Sequence, residues 1–294
     1  MKNKFGLIGV MFGTLLMSAI LVSSCNKDDD DDGGNNGKID PNTIATSNLI
    51  AYFPLEEEGE AVEYSNDMLT FNQAVGSTSF VTARRGNGYQ GSATEAYLEY
   101  DIASGTALKT LDEVTISCWV KTHHPLGGAA KILTINGGDP FMGAMALLQE
   151  SAAAGDSVDI KFYIYDSESP DWKGQDIRIQ SSRFTNDLWF HLVALYNKTT
   201  SSMELYSNGV LVATQIKYAG PDPGEGDQPL LGPIKLGQDM TKLHIGTWAQ
   251  QIAGAPEAWM KYYPGTVDEI RIYNKALSAD EINDLYEAEV TQIN

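Results

Sequence analysis

Between Leu188 and Thr214 lie two apolar, β-rich runs and the start of a third, and this stretch limits the chain more than any other. The first run is Leu188-Trp189-Phe190-His191-Leu192-Val193-Ala194-Leu195-Tyr196, followed by a polar turn from Asn197 to Ser201. The second and third runs meet at Asn208-Gly209, two residues that tolerate positive φ and suit a type I′ hairpin turn. The stretch therefore predicts a three-strand antiparallel meander. In the first strand Phe190, Leu192, Ala194 and Tyr196 share one face, while His191, Val193 and Leu195 share the other. Both faces carry apolar side chains, as a strand inside a stacked pair of sheets requires.

The same rhythm of short strands and turns continues on either side. Leu49 to Leu55 reads as a first strand ended by Pro54 and the run Glu56-Glu57-Glu58-Gly59. Val114 to Val120 is a compact strand with Cys118 in the core and Trp119 on the opposite side. Further strand patterns occur at 131–135, 145–148, 158–165, 243–248 and 265–273. Ser278-Ala279-Asp280-Glu281 forms a capping box that opens a short helix, with Ile282, Leu285 and Tyr286 on one face. The expected fold is all-β: a two-sheet antiparallel sandwich with a short C-terminal helix.

Thirty-nine acidic against 20 basic side chains in 294 residues give a net charge of -19, which repels a phosphate backbone and excludes nucleic acid as a partner. There are two cysteines, Cys25 and Cys118. Lys2 and Lys4 precede an apolar run from Phe5 to Val22 and then Ser23-Ser24-Cys25, the pattern of a secretory signal. Val22-Ser23-Ser24-Cys25 resembles the lipobox of bacterial lipoproteins. That resemblance implies a signal peptide over 1–24, lipidation of Cys25, and a lipid anchor. With Cys25 so used, Cys118 has no partner and no disulfide is expected. The five aspartates Asp28 to Asp32 and the glycines after them predict an extended acidic tether over 25–47, ahead of one domain over 48–294. An acidic run just after the lipidated cysteine resembles the export signal of surface lipoproteins, and implies the outer membrane with the domain facing the cell exterior.

Taken in order, Leu49 to Leu55, Gly86-Asn87-Gly88, Thr115 to Lys121, Leu188 to Val193, Leu205 to Gly209, Leu243 to Gly246 and Gly265 to Ser278 resemble the laminin G-like, concanavalin A-like jelly-roll family. The resemblance implies a jelly-roll sandwich, and a calcium ion near Asp268 with Asn66 and Asp67 as further ligands. Strand alternation puts Asp268 on the face of Ile270 and Ile272 and Glu269 on the other, so the two acids do not act together. A buried carboxylate there needs a donor or a cation, and both readings stay open.

No Glu-x-Asp-x-x-Glu spacing, no Gly-x-Ser-x-Gly elbow and no metal-ligand spacing around His123, His124, His191 or His244 is present. Catalysis finds no constellation. Aromatic residues in loops stack on the apolar faces of sugar rings, and the candidates are Trp172, Trp248, Trp259, Tyr262 and Tyr263, with Gln250 and Gln251 beside them. Trp119 and Trp189, inside strands, are structural. The expectation is a non-catalytic surface lipoprotein that captures polysaccharide or another glycan for envelope transporter or glycosidase partners. The alternatives are an adhesion module that recognises protein, and a glycoside hydrolase or its accessory domain.

Overall fold

The meander folds as its alternation requires. In the computed structural model, which describes residues 39–151, 157–169, 173–184, 188–220 and 229–290, the first five strands are β1 (Leu49–Phe53), β2 (Leu69–Gly76), β3 (Ser79–Thr82), β4 (Asn87–Gln90) and β5 (Ala96–Ile102). β6 (Val114–Lys121), β7 (Ala129–Asp139), β8 (Gly143–Ser151), β9 (Val158–Tyr165) and β10 (Gly174–Ser181) follow. The meander itself is β11 (Trp189–Asn197), β12 (Ser202–Ser207) and β13 (Val210–Ile216), with Asn208 and Gly209 at φ 51° and 76° in its hairpin turn. The chain then forms β14 (Lys242–Ile245), helix α1 (Ala249–Ile252), β15 (Met260–Lys261), β16 (Thr266–Tyr273) and helix α2 (Ala279–Val290).

Two antiparallel sheets stack. The first runs β13-β12-β11-β6-β16-β4-β3 with β1 also on β16, and the second runs β10-β9-β8-β7-β14-β5-β2 with β15 added in parallel to β7. Between them lies the main core. Phe190, Leu192, Ala194 and Tyr196 enter it from β11, Ile116, Cys118 and Val120 from β6, and Ile160, Phe162 and Ile164 from β9.

A second layer covers the outer face of the first sheet. Val193 and Leu195 pack there with Tyr206, Tyr273, Ile282 and Leu285, so α2 lies over the meander. Its capping box is complete: Ser278 Oγ accepts from Glu281 N–H at 3.2 Å, and Glu281 Oε2 accepts from Ser278 N–H at 2.8 Å. The folded body begins earlier than the expected tether boundary at 47. Pro41–Thr43 and Thr46–Asn48 are short 3-10 turns, Pro41 is buried, and Ile44 and Ala45 pack on the same outer cluster. Asn42 Oδ1 accepts from Arg271 Nε at 2.8 Å, which fixes this segment to β16. The expected signal peptide, Cys25 and the acidic run lie outside the described residues.

The closing strand departs from simple alternation. Between Asp268 and Arg271 the register against β6 shifts, and Glu269 sits at φ 54°. This bulge re-aims the side chains. Val267, Ile270 and Ile272 face the core, while Asp268 and Glu269 both leave it and share one arginine: Arg85 N–H donates to Asp268 Oδ2 and Arg85 Nη1 to Glu269 Oε2. Asp268 therefore does not share a face with Ile270 and Ile272, and the two acids are not on opposite faces. An extra residue in a strand cannot be read from alternation alone.

Candidate functional site

Pairing registers place the side chains on the outer face of the second sheet in rows. Ala129, Glu150, Asp159 and Gln180 lie side by side across β7, β8, β9 and β10. The next outward row is Lys131, Leu148, Lys161 and Arg178. With strands about 4.8 Å apart, each row spans about 15 Å. Inward positions between them, such as Ala130, Ile160 and Phe162, belong to the core, so the polar residues have no choice but to face out.

At the Ala129 end the row is walled by aromatic rings. Trp248 and Trp259 stand perpendicular with centroids 5.2 Å apart, and Phe141 lies 5.8 Å from Trp248 and 5.6 Å from Trp259. The trio is held from beneath. Trp248 Nε1 donates to Ala129 O at 3.1 Å, and Lys131 Nζ sits 4.5 Å from the Trp248 ring while donating to Met142 O at 2.8 Å. Burial lowers the Lys131 pKa to about 7. Asp139 Oδ1 accepts from the N–H groups of Phe141 and Met142, and Gln250 Nε2 donates to Pro140 O at 2.7 Å, so the turn carrying Phe141 is fixed from both sides. Phe141 and Trp259 are exposed.

Between Trp259 and the first row opens a cleft of about 590 Å³, lined by Ala129, Glu150, Asp159, Arg178, Gln180 and Trp259 among others. That volume lies within the range of small-ligand sites. Glu150 Oε1 accepts from Lys161 Nζ at 2.9 Å. Asp159 is buried and its Oδ1 has no hydrogen-bond partner among the described residues. Burial raises its pKa, Arg178 opposes that shift and Glu150 adds to it.

Of the four described residues among the aromatic candidates expected to stack on sugars, one meets this cleft. Trp259 lines it and is 40% exposed. Trp248 is 1% exposed and serves as the floor under Trp259 and Phe141, which corrects its expected role. Tyr263 is fully buried in the main core and its hydroxyl donates to Lys121 O at 3.2 Å, so it offers no surface either. Tyr262 is half-buried, and its hydroxyl donates to Glu95 Oε1 at 3.4 Å away from the lining residues. Trp172 lies outside the described residues. Gln251 is occupied by capping α1, accepting from Trp248 N–H at 3.1 Å. Sequence reasoning missed Phe141, Glu150, Asp159, Arg178 and Gln180. The alternation Asp159-Ile160-Lys161-Phe162-Tyr163 was visible, but the cross-strand row was not.

Comparison with known families matches residues 94–283 to the concanavalin A-like lectin/glucanases superfamily. The match covers well over half of the chain. The protein belongs to the concanavalin A-like lectin/glucanase superfamily. No curated protein matches it. Among solved structures, the receptor-binding domain of botulinum neurotoxin mosaic serotype C/D is similar, with a TM-score of 0.56 and 15% identity over 83% of this chain and 51% of that one. The serotype D ligand-binding domain in complex with N-acetylneuraminic acid gives 0.56 and 15% over 84% and 52%. The type G receptor-binding domain gives 0.54 and 13% over 82% and 51%. The chain thus spans about half the length of these domains, and at such identities the likeness is one of fold.

For this superfamily member the expected calcium ligands can be set against the geometry. Calcium takes six to eight oxygen ligands. Asp268 Oδ2 is taken by the Arg85 amide at 2.8 Å, and no hydrogen bond joins Asn66 or Asp67, both exposed with left-handed φ, to Asp268. Asp268 Oδ1 is the one buried oxygen here without a partner among the described residues, and one orphan oxygen is a poor fit to calcium. A proton serves it better: burial, with Glu269 beside it, pushes the Asp268 pKa up to about 8. The folded protein then keeps a proton that the unfolded chain releases, so this group's contribution to stability falls as pH rises from about 4 to 8. Asp268→Asn, which mimics the protonated acid, is expected to gain on the parent by up to about 4 kcal/mol between pH 5 and pH 8. Thermal unfolding of both proteins at the two pH values measures this. A melting temperature raised by added calcium in the parent, and not in the variant, would instead establish the cation.

Proposed function

We propose that the protein is a non-catalytic glycan-binding module, displayed by a lipid anchor at Cys25 on the outer membrane and facing the cell exterior, where it captures polysaccharide for partner proteins. The observation that carries this reading is the cleft on the outer face of the second sheet, with Trp259 as an exposed stacking wall and polar side chains along its floor. Indole rings bind the apolar faces of pyranoses, and a rigid support lowers the ordering cost of doing so. Support also comes from the family, whose description names lectins, and from a structural relative described in complex with N-acetylneuraminic acid.

Native affinity electrophoresis against a panel of soluble polysaccharides tests the proposal. At least one is expected to retard the protein, and Trp259→Ala is expected to weaken that interaction about tenfold or more, the scale of a central aromatic anchor. Retardation by none, or equal retardation of Trp259→Ala, would remove the glycan reading. Release of reducing ends on incubation would replace it with the glycosidase alternative.

One observation favours the protein-interaction alternative. β13 is the outer strand of the first sheet, exposes Val210, Leu211 and Ile216, and carries no charged side chain. Uncharged apolar edges accept added strands. Charging Leu211 would abolish such pairing while leaving glycan retardation intact.

A further inference from the structure

We infer that the cleft beside Trp259 takes a short run of uncharged hexose units, with Asp159 Oδ1 accepting from a sugar hydroxyl and Gln180 donating to another. This rests on the glycan-binding reading above and adds the class of sugar.

The argument begins with what the cleft lacks. Asp159 is only 9% exposed, lines the cleft, and has an oxygen with no partner among the described residues. A buried acceptor left without a donor is costly, so a ligand that supplies a donor gains from satisfying it. Hydroxyl groups do this; carboxylates cannot. Charge narrows the choice further. Glu150 and Asp159 are direct cross-strand neighbours, so an acidic sugar would set a third carboxylate against two. Lys161 bridges to Glu150 at 2.9 Å, and Arg178 stands in the next row beside it. An amino sugar would bring its ammonium against these two cations. Two acids and two bases leave the site balanced, and a balanced site rewards neither sign of charge.

Position matches the chemistry. The row from Ala129 to Gln180 runs away from Trp259, so a short run of hexose rings with one stacked on the indole presents edge hydroxyls to Glu150, Asp159 and Gln180 in turn. Gln180 is exposed at the far end and provides both a donor and an acceptor. A site built to bind a hydroxyl discriminates strongly against analogues without one, because its own polar group is then stranded.

Affinity gels containing a neutral hexan, a uronan or a chitosan, run with the parent, Trp259→Ala, Asp159→Asn, Asp159→Ala and Gln180→Ala, test the inference. Binding to the neutral hexan is expected, weakened about tenfold or more by Asp159→Ala and severalfold by Gln180→Ala. Asp159→Asn keeps the shape but loses the charged acceptor, and its loss is expected to fall between these. Gln180→Ala, on the exposed end of the row, keeps the test open if the Asp159 variants fold poorly. Tighter retention by uronan or chitosan that is still abolished by Trp259→Ala would overturn the inference and leave the glycan-binding reading standing. Binding of the neutral hexan unchanged by every Asp159 and Gln180 variant would overturn it as well. Retention by none of the three polymers would bring down both.

Discussion

Replacing Arg271 with leucine is expected to cost about 3–5 kcal/mol of stability, because it strands buried carboxylates that the guanidinium now serves. Arg271 is fully buried between β16 and α2. Its Nη2 donates to Glu269 Oε2 at 2.7 Å, its Nη1 to Glu289 Oε1, and its Nε to Asn42 Oδ1 at 2.8 Å. The cation also lies 4.2 Å from the Tyr52 ring, while the Tyr52 hydroxyl donates to Glu269 Oε1 at 2.8 Å. The neighbouring carboxylates hold the guanidinium protonated well above its ordinary range. Three parts of the chain that are distant in sequence converge on one side chain. For a domain of this size each kcal/mol moves the melting temperature by roughly 2–4 °C, so a fall of about 10 °C is expected in differential scanning calorimetry. Adding Glu289→Gln to the leucine variant is expected to recover part of the loss, since it removes one stranded charge. A fall of under 2 °C would show that water or another cation reaches Glu269 and Glu289.

Much of this scaffold was legible in the sequence, and the reasons are local. Asn208-Gly209 specifies its turn by backbone preference, Phe190 to Tyr196 specifies two packed faces by alternation, and Ser278 with Glu281 specifies a helix start by reciprocal hydrogen bonds. Each signal lies within a few residues. The Arg271 network was not legible, because it depends on a bulge at Glu269 and on partners as far apart as Asn42 and Glu289. The site divided along the same line. Trp259 could be picked out as an aromatic residue in a Pro- and Gly-bounded loop. Trp248, at the end of the strand pattern 243–248, reads as an aromatic candidate too, yet it lies flat against the outer face of the sheet under Phe141 and Trp259, with Nε1 bonded to Ala129 O. Glu150, Asp159 and Gln180 are separated by 9 and 21 residues in the chain and meet only through the registers of β8, β9 and β10. Register is a property of paired strands, and no single strand carries it.

The contrast between the two tryptophans leads to the second large effect. Trp248→Ala is expected to cost about 3–5 kcal/mol, the usual range for removing a buried aromatic side chain. It deletes the bond to Ala129 O and the ring over which Lys131 Nζ is held, and it opens a void among Ala146, Leu148, Tyr163 and Met260. Lys131, already costly to bury, would lose its aromatic partner while remaining tied to the Phe141 turn. Trp259 and Phe141 both rest on Trp248, so the stacking wall would lose its support and glycan affinity would fall with stability. Trp259→Ala should separate the two effects, since the exposed indole contributes mainly to binding: melting within about 2 °C of the parent, the scale of a surface substitution, with affinity lost. Measuring melting temperature and gel retardation on both variants decides the matter. Should Trp248→Ala lose affinity with no change in melting, the buried ring would have to reach the ligand itself, and the division between floor and wall would be wrong. If both variants melt early, the aromatic trio is a single packed unit, and the binding contribution of Trp259 must then be read from a milder change such as Trp259→Phe.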